Sequence, residues 1–495
     1  MRKIILNNEP DLEAKLKAFP YQNEAYESIK DLQFAAIFHE QGLGKTKIAI
    51  DLLLYWLEFK DIDTVLVVTK KQLVHNWEEE FKVHTAIKPA VLTSNKSDNF
   101  YVFNGPARVV VTNFEVISSE INRFKLYLKA RNVAIIIDES AKLKNPESKL
   151  SQSFFELSDL FKIRVIMTGT PVANRPYDIW AQIYFLDKGK SLGSNFNEFK
   201  KETDLTNDLN SNDLKRESFE KNIASIFEKI RWFSVRETKS SGIVKLPTKE
   251  YVNRWTDFLP EQLALYNKIR DDLAIEVRKG DQTIYDDSSS SLKRLLRLVQ
   301  VTSNPQLITD ENIHSGKENE LEQLINEIMK KQEKCIVWSS FIGNVDQFSK
   351  KYKNFNAVKV HGKLDIETRN KSIEKFKNGE AKILFATPQA AKEGLTLTVA
   401  NHVIFYDRGF SLDDYLQAQD RIHRISQTKT CYVYNIMIKN SIDEWIDVLL
   451  KAKQNAAFVV QGDINREKYQ QDADYSFGDM VKKILGIYET EEGLW

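Results

Sequence analysis

The run His39-Glu40-Gln41-Gly42-Leu43-Gly44-Lys45-Thr46 holds the residues whose types and spacing point most directly to chemistry. Gly42 and Gly44, one residue apart, let the backbone curl so that its N–H groups turn inward toward a polyphosphate. Lys45 is placed to reach the β- and γ-phosphates, and the Thr46 hydroxyl to ligate Mg²⁺. A helix starting here adds the partial positive charge of its N-terminus. The run departs from the strict pattern at His39, where a glycine would stand. A second pair, Asp138-Glu139, directly follows the apolar run Ala134 to Ile137. An aspartate there can hold Mg²⁺, and the glutamate can polarise an attacking water. Alone, the pair is read equally well as a solvated acidic turn. Thr168-Gly169-Thr170-Pro171 suits a loop that senses nucleotide state, and also an ordinary turn. Within Gln417 to Ile425, Arg421 and Arg424 are three apart and would share a helix face. Two such arginines suit the charge on a transferred phosphoryl group. Taken alone, they are better read as a surface helix with scattered charges.

The elements around these residues follow one pattern. The glycine run lies between Ala35-Ala36-Ile37-Phe38 and the helix-like Lys47 to Leu54. Other short apolar runs are Val65 to Val68, Val109 to Val111, Ala134 to Ile137 and Arg164 to Met167. The second half repeats the pattern with Cys335 to Trp338, Ala357 to Val360, Ile383 to Ala386 and His402 to Tyr406. Strands that are apolar throughout fit parallel sheets covered on both faces. In such sheets the carboxyl ends of the strands face one crevice, where the phosphate loop and Asp138-Glu139 would meet. The expected fold is α/β, with two doubly wound parallel-sheet domains and helical inserts between them. The first domain is expected over 1–250 with an insert near 187–240. The second is expected over 251–455 with an insert near 257–310, and a helical tail over 456–495. Asp204 to Lys215 and Ser288 to Ser291 read as loops, and the chain after Lys451 reads as polar and helix-prone.

Bulk composition narrows the classes. A chain of 495 residues with 42% hydrophobic content can bury more than one core. Its net charge is only +1, so any polyanion must be met by a local groove. Cys335 and Cys431 lie far apart and suggest no disulfide framework, which fits a reducing cytosol. The histidines lack metal-ligand spacing, so no structural zinc is expected. The first residues do not read as a signal peptide, and no apolar run is long enough to span a bilayer.

Taken in order, these segments resemble the Swi/Snf-related DNA translocases of helicase superfamily II. The resemblance runs from about Phe19 to about Lys453. It rests on Pro20-Tyr21-Gln22, the phosphate loop, Asn76-Trp77 with Phe81, Thr112-Asn113-Phe114-Glu115 and Asp138-Glu139-Ser140-Ala141 with Lys144-Asn145-Pro146. It continues through Thr168-Gly169-Thr170-Pro171, Asn174, Trp180, Trp338-Ser339-Ser340-Phe341, Glu393 to Thr398 and Gln417 to Gln427. It implies two RecA-like domains using ATP and Mg²⁺. Gln22 would read the adenine. Gly42, Leu43, Gly44, Lys45 and Thr46 would hold phosphates, with Thr46 and Asp138 on the metal. Glu139 would be the catalytic base, and Gly394, Arg421 and Arg424 would complete the site from the second domain. Thr69, Lys70, Thr112, Ser340, Phe341, His361 and Thr387 fall in segments that would track a DNA backbone. Two departures stand out. Ala141 replaces a histidine common among relatives, so the coupling of hydrolysis to DNA is expected to be weaker or differently wired. Ser426 replaces a common glycine.

The resemblance implies a motor that steps along double-stranded or forked DNA without sequence readout. No strand-splitting element is evident, so processive unwinding is not expected. The Asp-Glu-Ser form and Gly394-Leu395-Thr396-Leu397 look closest to the distant branch of annealing helicases and fork remodelers. No membrane partner is expected, and the helical inserts are candidates for a protein partner. Compact length suggests a bacterial, archaeal or viral protein acting in the cytoplasm. The rivals are a strand-separating DNA or RNA helicase, a nucleic-acid-binding scaffold with weak ATPase, and the motor subunit of a restriction or defence complex.

Overall fold

The computed structural model describes residues 6, 9–279, 289–392 and 396–484. The first sheet contains β1 (Phe34–Ile37), β2 (Thr64–Thr69), β3 (Ala90–Val91), β4 (Val109–Asn113), β5 (Val133–Asp138), β6 (Ile163–Met167) and β7 (Ser234–Val235). Its spatial order is β3-β4-β2-β5-β6-β1-β7, and every pairing is parallel. The second contains β8 (Lys249–Thr256), β9 (Cys335–Trp338), β10 (Val358–Val360), β11 (Ile383–Ala386), β12 (His402–Phe405) and β13 (Cys431–Ile438). Its order is β10-β11-β9-β12-β13-β8, again parallel throughout. Two doubly wound parallel-sheet domains are therefore present, as the apolar strand runs imply.

Burial explains why these runs lack polar alternation. Ile336, Leu384, Val403 and Val433 enter one core of the second sheet, while Cys335, Val337, Phe385 and Ile404 enter another. Successive residues point to opposite faces, so a sheet covered on both faces needs apolar residues at every position. The first sheet sends Ala35, Ile37, Val65, Val67, Ala134 and Ile136 into a core shared with Ile48, Leu52 and Trp56 of the helix Lys45–Phe59.

The chain forms two compact units. The first comprises the described residues within Met1–Asp204, Phe219–Val244 and Ala456–Arg466; the second those within Leu205–Ser218, Lys245–Asn455 and Glu467–Trp495. The edge strand β8 crosses the boundary placed at 250 by sequence and belongs to the second sheet. β7, inside the segment read as a helical insert, pairs with β1. Three loop and tail readings are corrected. Ser289 to Ser291 begin the helix Ser289–Ser303, while Ser288 lies outside the described residues. The Asn/Asp-rich segment is a loop only in part, because Asp213 starts the helix Asp213–Ile230 with an acidic first turn suited to the helix dipole. The chain after Lys451 continues the helix Ile442–Gln461 and buries Ala456, Ala457, Val459 and Val460, so it is not a polar tail. Among the described residues, no helix is long and apolar enough to cross a membrane.

Candidate active site

In the first unit, the phosphate loop leaves the carboxyl end of β1. Gly42 and Gly44 have φ of 85° and 69°, in the left-handed region that glycine enters without strain. Gly44 is also the N-cap of the helix Lys45–Phe59, and a Cβ there would lie 2.2 Å from Gln22 Nε2. Its missing side chain therefore serves both the turn and a close approach. The Tyr21 hydroxyl donates to the Leu43 carbonyl at 3.1 Å, and Gln22 Nε2 points at the same oxygen at 3.4 Å. Gln22 Oε1 accepts from the Phe19 amide at 2.9 Å, which fixes the amide orientation beside the loop. Lys45 Nζ donates to the His39 and Glu40 carbonyls at 3.0 and 3.3 Å, so the ammonium sits within the loop's curl. Thr46 lies in the first helical turn. His39 is buried, and burial together with the Lys45 cation pushes its pKa down to about 4. It is neutral near pH 7 and adds no charge to the cradle. A Cβ on Gly169 would lie 2.5 Å from Gln41 Cγ and 3.3 Å from Lys45 Nζ, so the Thr168 to Pro171 loop packs on the phosphate loop.

β5 lies one strand away from β1 across β6 and delivers Asp138 and Glu139 at its carboxyl end. Asp138 Oδ2 accepts from Trp77 Nε1 at 2.9 Å and from the Thr69 hydroxyl at 3.1 Å. Desolvation and the neighbouring Glu139 charge nevertheless push its pKa up to about 6. Glu139 has φ 57° and ψ 45°, a left-handed conformation costing a non-glycine residue about 1–2 kcal/mol. Such strain persists only where surrounding contacts enforce it. Glu139 Oε2 pairs with Lys70 Nζ at 3.3 Å. The buried Ser140 hydroxyl donates to Gln182 Oε1 at 2.8 Å, and Gln182 Nε2 donates to the Pro171 carbonyl at 2.8 Å. One glutamine thus ties the acidic loop to the Thr168 to Pro171 loop.

The residues read as DNA contacts divide by exposure. Thr69 and Thr112 are fully buried, with hydroxyls donated to Asp138 and to the Leu92 carbonyl. Their side-chain hydroxyls are thus engaged within the fold, which leaves the backbone of these segments as the group that could face a DNA strand. Lys70 stays part-exposed. In the second unit, Ser340 and Phe341 are part-exposed at the end of β9, whereas His361 and Thr387 are buried. His361 Nε2 meets Asp346 Oδ1 at 3.2 Å. The Ser340 amide donates to Asp407 Oδ1 at 2.7 Å, and the Ser303 and Ser339 hydroxyls converge on Oδ2 at 2.8 and 2.5 Å.

The arginine segment is also in the second unit, but not as a helix. The helix Leu412–Gln419 ends before Arg421, and Arg421 to Arg424 lie in turns, which corrects the shared-helix-face reading. The reason is Gln427, whose side-chain amide donates to the carbonyls of Thr398, Ala400 and Ile422 and draws the chain onto the Thr396 to Ala400 loop. Arg424 Nη1 donates to the Thr396 hydroxyl at 2.8 Å, and the Leu397 amide donates to the Arg421 carbonyl at 2.9 Å. Gly394 lies outside the described residues. The entering strand β8 holds the segment from the other side. Lys249 Nζ pairs with Asp420 at 3.0 Å, the Tyr251 hydroxyl donates to Gln419 Oε1 at 2.8 Å, and His423 Nε2 meets the Pro247 carbonyl at 2.9 Å.

Gln182, Asp407, Lys249 and Tyr251 carry no role in the sequence reading. Each is a single polar residue whose partner is remote along the chain, so periodicity and short motifs give no signal for it.

The chain belongs to the SNF2-related family. The SNF2-related domain matches residues 31–307, and a helicase conserved C-terminal domain matches 316–426. An uncharacterized ATP-dependent helicase of Mycoplasma genitalium is 28% identical over 448 residues, covering 88% of this chain and 41% of that relative. The human SWI/SNF-related matrix-associated actin-dependent regulator of chromatin subfamily A member 1 is 27% identical over 434 residues, covering 82% of this chain and 40% of that relative. The chain thus spans less than half the length of these relatives. The solved Sulfolobus solfataricus SWI2/SNF2 ATPase core in complex with dsDNA aligns over 95% of this chain and 99% of that one, at 24% identity and a TM-score of 0.42.

Proposed function

We propose that this chain is a DNA-dependent ATPase that converts ATP hydrolysis into translocation on double-stranded DNA without processive unwinding. The observation that carries the reading is the set of groups at the carboxyl ends of β1, β5 and β6. A left-handed glycine loop encloses the Lys45 ammonium, and Asp138 and Glu139 emerge one strand away. This donor set fits a nucleoside triphosphate with a divalent cation. Gln22 is assigned to the adenine, and Gly42 to Gly44 present backbone amides to the phosphates. Lys45 neutralises phosphate charge, and Thr46 and Asp138 would hold Mg²⁺, which when bound draws charge from the phosphate oxygens. Glu139 orients and deprotonates the attacking water. Arg421, Arg424 and Gly394 are assigned to the γ-phosphate side of the reaction. Lys70, Ser340, Phe341 and backbone amides of neighbouring loops are assigned to DNA phosphates, which position a protein without reading sequence. Action on forks, strand annealing and a protein partner at the helical segments belong to the same proposal, as does a cytoplasmic place.

The test is ATP turnover alone and with single-stranded, duplex and forked DNA and RNA, with Lys45→Ala as the blank. Stimulation by duplex or forked DNA is the expected result. A second reading, strand separation, is favoured by the helicase names of relatives. Stimulation by single strands or RNA alone, with displacement of a strand from a tailed duplex, would replace the first reading with this one.

A further inference from the structure

We infer that Lys70 is a latch on the catalytic base, holding Glu139 until a DNA phosphate takes the lysine's place. The inference rests on the ATPase reading and names the coupling element within it. β2 and β5 are neighbours in register, Val68 opposite Ile137, so residues 69 and 70 emerge beside 138 and 139. Both carboxylates are gripped from that side. Thr69 and Trp77 donate to Asp138, and Lys70 Nζ lies 3.3 Å from Glu139 Oε2. The two grips differ in kind. Thr69 is fully buried and Trp77 nearly so, whereas the Lys70 and Glu139 side chains are each 22% exposed. Both carboxylates are part-exposed, but only the donor on Glu139 is itself open to solvent, and therefore to a competing anion.

An ammonium bonded to Glu139 opposes base catalysis in two ways. It occupies a carboxylate oxygen that must accept the proton of the attacking water, and it holds the carboxylate away from the position that water needs. A partly exposed lysine–carboxylate pair is weak and salt-sensitive, so a phosphodiester can displace the carboxylate. Lys70 is a flexible point charge able to swing between two anions. The contact also offers a route from DNA to the site that does not need a histidine at position 141, where this chain has alanine.

Because DNA and Glu139 compete for one ammonium, removing either must favour the other. The experiment measures two quantities on the full chain. The first is turnover without DNA and with saturating duplex for wild type, Lys70→Met and Lys70→Arg. The expected result for Lys70→Met is DNA-free turnover raised several-fold, with the stimulation ratio reduced by at least the same factor. Lys70→Arg, which keeps a cation beside Glu139, should raise DNA-free turnover less than Lys70→Met does. The second is duplex affinity without nucleotide, read by fluorescence anisotropy, for wild type, Glu139→Gln and Lys70→Met. Glu139→Gln should bind duplex more tightly and Lys70→Met more weakly. Lower DNA-free turnover in Lys70→Met with an unchanged ratio would overturn the latch and make Lys70 a simple support for the base. Unchanged duplex affinity in Glu139→Gln would overturn the competition. An inactive wild type under every condition would instead sink the ATPase reading, which separates the two failures.

Discussion

Asp138 and Glu139 are adjacent carboxylates in different surroundings, and the proposed function gives them different tasks, the first as metal ligand and the second as base. Asp138 is partly desolvated and lies beside a second negative charge, so its proton is held up to about 6 despite the Trp77 and Thr69 donors. A protonated Asp138 is a poor metal ligand, since the proton and Mg²⁺ compete for the same oxygens. The sign follows directly. Above about pH 6 the carboxylate is ionised and ready for Mg²⁺; as pH falls through that value it protonates and turnover declines. ATP turnover should therefore fall on the acid side with an apparent midpoint near 6, and raising Mg²⁺ should move the midpoint lower. A midpoint insensitive to Mg²⁺ would remove Asp138 from the metal. Glu139→Gln keeps the size and the strained backbone but loses the carboxylate proposed as the base. Turnover should fall by roughly 10²–10⁴-fold while binding of a fluorescent ATP analogue is retained. Turnover within a few-fold of wild type would show that another group takes the water's proton.

At the scale of elements, the central strands were legible because burial on both faces leaves an apolar run, and the loops that follow them inherit their positions. The phosphate loop, Asp138-Glu139 and Thr168 to Pro171 were readable for that reason. Arg421 and Arg424 were legible as a pair but not as a conformation, because Gln427 acts on carbonyls up to 29 residues away. β3 and β7 have two residues each, too few to leave a period. β8 is an exposed edge whose Lys249-Glu250-Tyr251 opening reads as surface, yet Lys249 and Tyr251 hold Asp420 and Gln419 next to the arginines. That placement yields a prediction. Tyr251→Phe removes one hydroxyl and Lys249→Met one charge without altering the backbone pairing of β8 with β13. Each should lower kcat for ATP, the double variant by roughly ten- to a hundred-fold, because small displacements of groups that stabilise charge are costly. KM for ATP and thermal midpoint should change little. A rise in KM with kcat intact would mean that β8 acts on nucleotide binding and not on the arginines.

For the molecule as a whole, charge sets the terms on which the proposed DNA contact would be made. With 71 basic and 70 acidic side chains, the chain lacks the broad positive field of a protein that coats a polyanion. Affinity must come from a few local contacts, and many surface cations are already engaged, as in Lys359–Asp346, Lys215–Asp208 and Lys60–Asp31. Each phosphate neutralised on duplex DNA contributes about −0.9 to the slope of log affinity against log salt. The duplex concentration giving half-maximal ATPase stimulation should therefore rise with salt along a shallow slope, equivalent to a handful of phosphates. Scrambling the duplex sequence should leave it unchanged, because backbone contacts carry no base information. Removing Lys70 should lower the slope by about one. The measurement is a stimulation titration at four or five salt concentrations, run on two unrelated duplexes of equal length. A steep slope would reveal a basic surface that the net charge conceals. A flat slope with strong dependence on sequence would mean that base edges are read, and would end the reading of this chain as a motor that grips the backbone alone.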